Sequence, residues 1–268
     1  MALPLSVQLY SVRDYAAKDF PAMLKKIADI GFAGVEPAGF FNIRPTELKK
    51  MCADLGLKMF SSHSPWATAG NLGESMDIAA AMGLDKIVCG YGPDDFKDLD
   101  AIKRTAETTC KMQETLARNG FTLFQHNHYW EFERLDGEIK YDIYRRLCPN
   151  VKYQIDCFWS TNKGAECAVE MLKKFLDDTI LLHMKDGICK QDAKNAGMKN
   201  GLLDMKIDLL PLGDGDLPIK DLVKVAEDSG HVPTVIVELD YCDSMEMYAA
   251  LEKSYKYMTS NGIAYGTK

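Results

Sequence analysis

Ile180-Leu181-Leu182-His183-Met184-Lys185-Asp186 and Thr234-Val235-Ile236-Val237-Glu238-Leu239-Asp240 share one design: a short apolar, partly β-branched run that ends in charged or imidazole side chains. Runs of four to eight such residues read as buried strands, and strands with apolar residues on both faces belong to parallel sheets covered by helices. The same pattern extends backwards. Strand-like runs fall near 4–11, 33–37, 58–63, 86–90, 121–127, 152–157, 180–185 and 234–239. Helical periodicity separates them over 20–30, 44–55, 72–82, 98–119, 141–147, 165–177 and 219–229, with a last helix at 244–260.

Eight β–α repeats in succession predict a (β/α)8 barrel occupying 1–268 as a single domain. An open doubly wound sheet also alternates strand and helix. Such sheets usually carry a glycine-rich turn after the first strand, where this chain reads Gln8-Leu9-Tyr10-Ser11-Val12-Arg13. Two stretches exceed plain connections: 129–141, with Asp136-Gly137 at a turn position, is expected to form a small hairpin or lid after strand five, and the polar 187–217 to cover the site.

The formal charge of -7 and a pI near 5.3 disfavour nucleic acid and anionic membrane as partners. Hydrophobic residues make up 47%, enough for a core, with no run long enough to span a bilayer. The start, Met-Ala-Leu-Pro-Leu-Ser-Val, has no charged secretory n-region, so cytoplasm is the expected compartment. The eight cysteines are scattered without a CxxC pair and are expected to be reduced.

The C-terminal ends of barrel strands form the face on which barrel enzymes carry their sites. Strand six presents Gln154 and Asp156 on one face, and strand five presents His126 and His128, with Glu131 three residues later. A carboxylate on an interior strand costs several kcal/mol unless it is paired or bound to metal. One shared divalent cation would satisfy Glu131, Asp156, His183 and Glu238 together. Three carboxylates and one imidazole favour Mn2+, with Mg2+, Co2+ and Zn2+ as further candidates.

Gln8-Leu9-Tyr10-Ser11, Gly34-Val35-Glu36, Ser62-His63, His126-Asn127-His128-Tyr129-Trp130-Glu131-Phe132, Asp156-Cys157-Phe158-Trp159, His183-Met184-Lys185-Asp186, Leu212-Gly213-Asp214-Gly215 and Val237-Glu238 follow one another in chain order. As an ordered set they resemble the xylose isomerase-like superfamily of sugar phosphate isomerases/epimerases. The resemblance implies a metal held by Glu, Asp, His and Glu in that order, matching Glu131, Asp156, His183 and Glu238. It implies a sugar or keto-sugar substrate, and homodimers are common among such barrels. The strand-five His-Asn-His-x-x-Glu departs from the shorter epimerase pattern and brings His128 forward as ligand or base.

The expected activity is a metal-dependent isomerase or epimerase that removes a proton beside a carbonyl through an enediolate. Glu131, Glu238 or His128 would act as base, Lys185 would steady negative charge, Gln8, Glu36, His63 and His126 would bind the substrate, and Trp159 would stack on the sugar ring. Elimination from a 3-keto-glycoside is the alternative. An apurinic endonuclease and a non-catalytic carbohydrate binder rank below it, the former because it needs more histidines than the five present and a basic surface. Glu238→Gln and His183→Ala are each expected to abolish metal-dependent turnover while circular dichroism reports an intact fold.

Overall fold

The computed structural model describes residues 2–199 and 202–268, apart from the side chain of Lys194; Asn200 and Gly201, in the expected site loop, lie outside the described residues. Eight parallel strands curl into a barrel: β1 (Leu3–Gln8), β2 (Gly34–Glu36), β3 (Lys58–Met59), β4 (Lys86–Cys89), β5 (Thr122–His126), β6 (Lys152–Asp156), β7 (Thr179–Met184) and β8 (Val235–Val237). The hydrogen-bonded order is β3-β2-β1-β8-β7-β6-β5-β4. Across the β3/β4 seam, Ala67 N donates to Val88 O at 2.8 Å. A short C-terminal strand, Ala264–Tyr265, adds to the start of β1.

Helices α1 (Phe20–Ile30), α2 (Pro45–Asp54), α3 (Leu72–Met82), α4 (Leu99–Arg118), α5 (Lys140–Leu147), α6 (Ala168–Phe175), α7 (Ile219–Ser229) and α8 (Met247–Ser260) follow the strands in turn. Their starts and stops follow from local chemistry. Asp19 caps α1 by accepting from Ala22 N, and Gly31, in the left-handed conformation, ends it. The main core lies between this helical layer and the outward strand faces, with Leu24, Ile27, Val35, Leu116, Tyr144, Ile155, Leu172 and Leu251 fully buried.

Inside the barrel, Val88, Phe124, Leu181 and Ile236 form a separate buried plug. Because side chains alternate along a strand, the next interior positions are two residues further on. Phe124 leads to His126, Leu181 to His183, and Ile236 to Glu238. The apolar plug is therefore the floor on which polar strand ends sit. Strand three is shorter than the expected 58–63, since beyond Met59 the chain bonds to the loop after β2 instead, with His63 N donating to Pro37 O at 2.8 Å.

Residues 129–141 contain the expected hairpin, Arg134–Leu135 against Glu138–Ile139. The described residues of 187–217 form a ribbon, in which Asp186–Cys189 pairs with Ile207–Leu210 and Gly197–Lys199 with Leu202–Asp204. The buried Asp186 carboxylate holds its base by accepting from the backbone of Gly187 (2.8 Å), Gly213 (2.9 Å), Gly215 (3.0 Å) and Leu217 (3.1 Å). Glycine is required at 215 because a Cβ there would collide with Asp186 Oδ1 and the Gly187 nitrogen. Gly215→Ala is expected to detach this loop, lower unfolding free energy by roughly 1–3 kcal/mol through lost bonds to the carboxylate, and speed proteolytic nicking within 187–217; limited proteolysis and thermal melts check it.

Candidate metal centre

A cavity of about 390 Å3 opens above the strand ends, walled by Tyr10, Ala38, His63, Trp66, His126, His128, Trp159, Lys185, Glu238 and Asp240. Trp66 can lie along this wall because residue 90, at the end of β4, is glycine, and a Cβ there would run into the indole. Trp159, on the turn after β6, packs with Phe158, Leu209 and Leu239. The 187–217 ribbon thus braces Trp159 through Leu209, whereas none of its described residues lines the cavity.

The polar network begins with Glu36 at the end of β2, which is 0% exposed. Its Oε2 accepts from Gln8 Nε2 at 2.7 Å and lies 2.5 Å from His183 Nε2. Its Oε1 accepts from Gln154 Nε2 at 2.8 Å and from the Ser61 hydroxyl. Burial alone would raise this carboxyl, but the charges of His63 and His183 and the hydrogen bonds to His183 and Ser61 bring it down to about 2. The other nitrogen of His183, Nδ1, lies 2.9 Å from Glu238 Oε2. Burial opposes protonation of this imidazole, yet the two carboxylates raise it to about 10, which favours an imidazolium between Glu36 and Glu238.

Lys185, two residues further along β7, is 1% exposed and places its ammonium 3.2 Å from Glu238 Oε2, 3.3 Å from Asp156 Oδ2 and 2.7 Å from Asp240 Oδ2. Asp156 Oδ1 accepts from the Phe158 and Trp159 nitrogens at 3.0 and 2.9 Å, which closes the turn after β6. Its buried Oδ2 makes no hydrogen bond, and burial raises the carboxyl to about 6 despite Lys185. His63 Nε2 and His126 Nδ1 share Gln154 Oε1, at 2.6 and 3.0 Å. Burial holds both rings below the ordinary imidazole value.

His126, Asp156, His183 and Glu238 each offer one ligand atom within 4.8 Å of the others, all from buried residues. Three of the four sequence-expected ligands therefore meet. Glu131 stands outside this group, and His126 contributes the strand-five donor. The reason is local: Glu131 lies on the 3-10 turn Trp130–Phe132, and its Oε2 accepts from His128 N at 3.0 Å, bracing the loop that carries His128. Burial pushes the Glu131 carboxyl up to about 8. Glu36 and Gln8, expected as substrate contacts, are fully buried and bonded to one another beneath the cavity wall.

Sequence reasoning missed Gln154 as the bridge between the histidines and Glu36, Asp240 as the anchor of Lys185, and Trp66 as a wall. Alternation along β6 and β8 places Gln154 beside Asp156 and Asp240 beside Glu238, which was the available signal. Trp66 offered none.

Interior acids and imidazoles on a barrel floor, arranged to gather round one cation, define the class: a (β/α)8 barrel with a candidate divalent-metal centre. The chain matches the xylose isomerase-like TIM barrel family over residues 24–257 and belongs to it. Among curated proteins there is no match. It is similar in structure to a sugar phosphate isomerase/epimerase from Parabacteroides distasonis, with 21% identity over 99% of this chain and 96% of that one and a TM-score of 0.75. A 3-keto-D-glucoside 4-epimerase from E. coli aligns at 14% identity over 96% and 99% of the two chains, with a TM-score of 0.68. A xylose isomerase-like barrel from Mycobacterium smegmatis, solved in complex with magnesium, aligns at 16% over 98% of each chain, with a TM-score of 0.65. At these identities the likeness extends to the fold. No helix among the described residues is long and apolar enough to cross a membrane.

Removal of His126 and of Glu131 should separate ligand from brace. Mn2+ titration is expected to show roughly 100-fold or greater weakening in His126→Leu and unchanged affinity in Glu131→Gln. Because Glu131 is raised in the folded state, its contribution to stability is full below about 4.5 and is lost as pH rises through about 8. Urea unfolding of Glu131→Gln should therefore lack that decline.

Proposed function

We propose that this protein is a divalent-metal-dependent sugar isomerase or epimerase that exchanges a proton at the carbon beside a carbonyl. The observation that carries the reading is the convergence of His126, Asp156, His183 and Glu238 beneath a cavity of sugar size. The donor set fits such an ion: two carboxylates and two imidazoles, with Asp156 Oδ2 buried and lacking a hydrogen bond. When bound, the cation supplies positive charge to the substrate oxygen that becomes anionic as the neighbouring C–H is broken.

The chain's own residues supply the proton transfer. His128 lines the cavity, and burial lowers its ring to about 4, so at neutral pH it is an uncharged acceptor. Its ring stacks on Trp130, with centroids 4.4 Å apart, and the backbone beneath it is held by Glu131, which fixes where the base points. Lys185 is the donor. Asp156, Glu238 and Asp240 keep its ammonium protonated, so it can hydrogen-bond a developing oxyanion or a neighbouring hydroxyl. Tyr10, Trp66 and Trp159 offer apolar faces on which a pyranose can stack while excluding water.

Elimination from a 3-keto-glycoside is the second reading. The aromatic walls favour it, since Tyr10, Trp66 and Trp159 can stack on an aromatic leaving group as well as on a sugar ring. Both reactions begin with the same proton abstraction and part at the step that follows.

Metal-stripped protein reconstituted with Mn2+ and incubated with a panel of keto-sugars in deuterated water is expected to incorporate solvent deuterium beside the carbonyl. His128→Asn should slow that exchange by roughly 10^2–10^4-fold. Release of an aglycone from a 3-keto-glycoside would select the second reading, and metal binding without exchange on any member of the panel would make the protein a binder rather than an enzyme.

A further inference from the structure

We infer that Glu36 decides which nitrogen of each ligating histidine carries the free lone pair, acting on His183 directly and on His126 through Gln154; the inference rests on the metal centre proposed above. The chemistry is one of donors and acceptors. An ionised carboxylate only accepts, and two oxygens have room for about four hydrogen bonds. Glu36 holds four donors: Gln8 Nε2, His183 Nε2, Gln154 Nε2 and the Ser61 hydroxyl. It is fully buried, lies off the cavity wall, and has no accepting capacity left for a substrate hydroxyl.

Two consequences follow from that saturation. Facing an acceptor at 2.5 Å, His183 Nε2 must carry a hydrogen, so the nitrogen that gives up its proton in order to ligate is Nδ1, the one that looks toward its co-ligand Glu238 at 2.9 Å. The amide of Gln154 is likewise fixed. Its NH2 must face Glu36, because the reversed amide would set oxygen against carboxylate. Gln154 Oε1 then accepts from His63 Nε2 at 2.6 Å and His126 Nδ1 at 3.0 Å, both as N–H donors. For His126 the lone pair is thereby left on Nε2. One buried carboxylate, anchored from β1 by Gln8 and from the strand-three segment by Ser61, sets the orientation and tautomer of two ligands on β5 and β7.

Such outer-sphere partners fix ring orientation and raise ligand basicity, and their loss typically costs roughly 10–100-fold in metal affinity. Glu36→Gln keeps the size and removes the logic, since an amide brings one acceptor and one donor to a point where four donors converge. Glu36 would be a positioning residue, so the test must read more than turnover. With 15N-histidine-labelled protein loaded with 113Cd2+, nitrogen–cadmium coupling is expected at His183 Nδ1 and His126 Nε2. In Glu36→Gln the Mn2+ dissociation constant should rise roughly 10–100-fold, with the His183 coupling lost or moved, while a melt shows the protein folded. Should that variant not fold, Gln154→Leu serves: it should weaken the His126 coupling and leave that of His183 at Nδ1.

Coupling to His183 Nε2 in the unmodified protein, unchanged Mn2+ affinity in a folded Glu36→Gln, or an undisturbed His126 coupling in Gln154→Leu would each overturn the inference. Absence of Mn2+ and Cd2+ binding by the unmodified chain would overturn the metal centre itself, a separate and recognisable failure.

Discussion

Buried negative charge is the constraint around which this barrel is built. Glu36, Asp156 and Glu238 are nearly or wholly withdrawn from solvent at the strand ends, and Asp240 stands beside them at the rim. Unpaired, each would cost several kcal/mol to keep ionised in such surroundings. The chain supplies two cations among them, the His183 imidazolium and the Lys185 ammonium, and both are shared: His183 between Glu36 and Glu238, Lys185 among Asp156, Glu238 and Asp240. Burial would raise the Glu238 carboxyl, yet the ion pairs with Lys185 and His183 hold it well below the ordinary carboxylate value. Asp156, His183 and Glu238 are residues that would hold a divalent ion, whose positive charge would then serve where a proton and an ammonium serve without it.

That exchange explains why Asp240 stands where it does. Lys185 is closer to Asp240, at 2.7 Å, than to either Asp156 or Glu238. Were the latter two carboxylates to hold a cation, Asp240 would leave Lys185 a counter-charge at the cavity rim. Its ammonium also lies 4.9 Å over the Trp159 ring, a second attraction that holds it at the wall. The same residue can thus neutralise the metal-free site and serve as donor in the proposed reaction without leaving its strand.

Much of this was legible in the sequence because a parallel barrel repeats one rule: an apolar stretch closes at a polar residue, and that residue faces the site. The eight strands, the helices over 20–30, 72–82 and 219–229, and the meeting of Asp156, His183 and Glu238 follow from it. What the rule could not reach lies past the strand ends. Glu131 is five residues beyond the end of β5 at His126, where the chain turns into a 3-10 segment and alternation no longer says which way a side chain points. His126, still within β5, obeys the rule and reaches the ligand group. Glu36 shows a second limit. Strand position placed it at the interior, but whether an interior carboxylate meets substrate or is covered by neighbours depends on Gln8, Ser61 and Gln154, three residues from three separate parts of the chain.

The loops obey a different economy from the strands, and Asp186 illustrates it. It follows His183 and Lys185 in an apparently catalytic run, yet its carboxylate faces four backbone N–H groups rather than the cavity. Alternation along β7 accounts for the division: His183 and Lys185 share one face, Met184 and Asp186 the other. The inward pair sets charge in the site. The outward Asp186 ties down Gly213–Leu217, the base of the ribbon whose Leu209 packs on Phe158 and Trp159. Trp159 is in turn fixed by Asp156 Oδ1, which accepts from its backbone nitrogen, so the aromatic wall and a candidate ligand are positioned by the same carboxylate. Wall, floor and ligands are therefore one mechanical unit, in which a shift of Asp156 to coordinate a cation must be felt by the ring against which a sugar would lie.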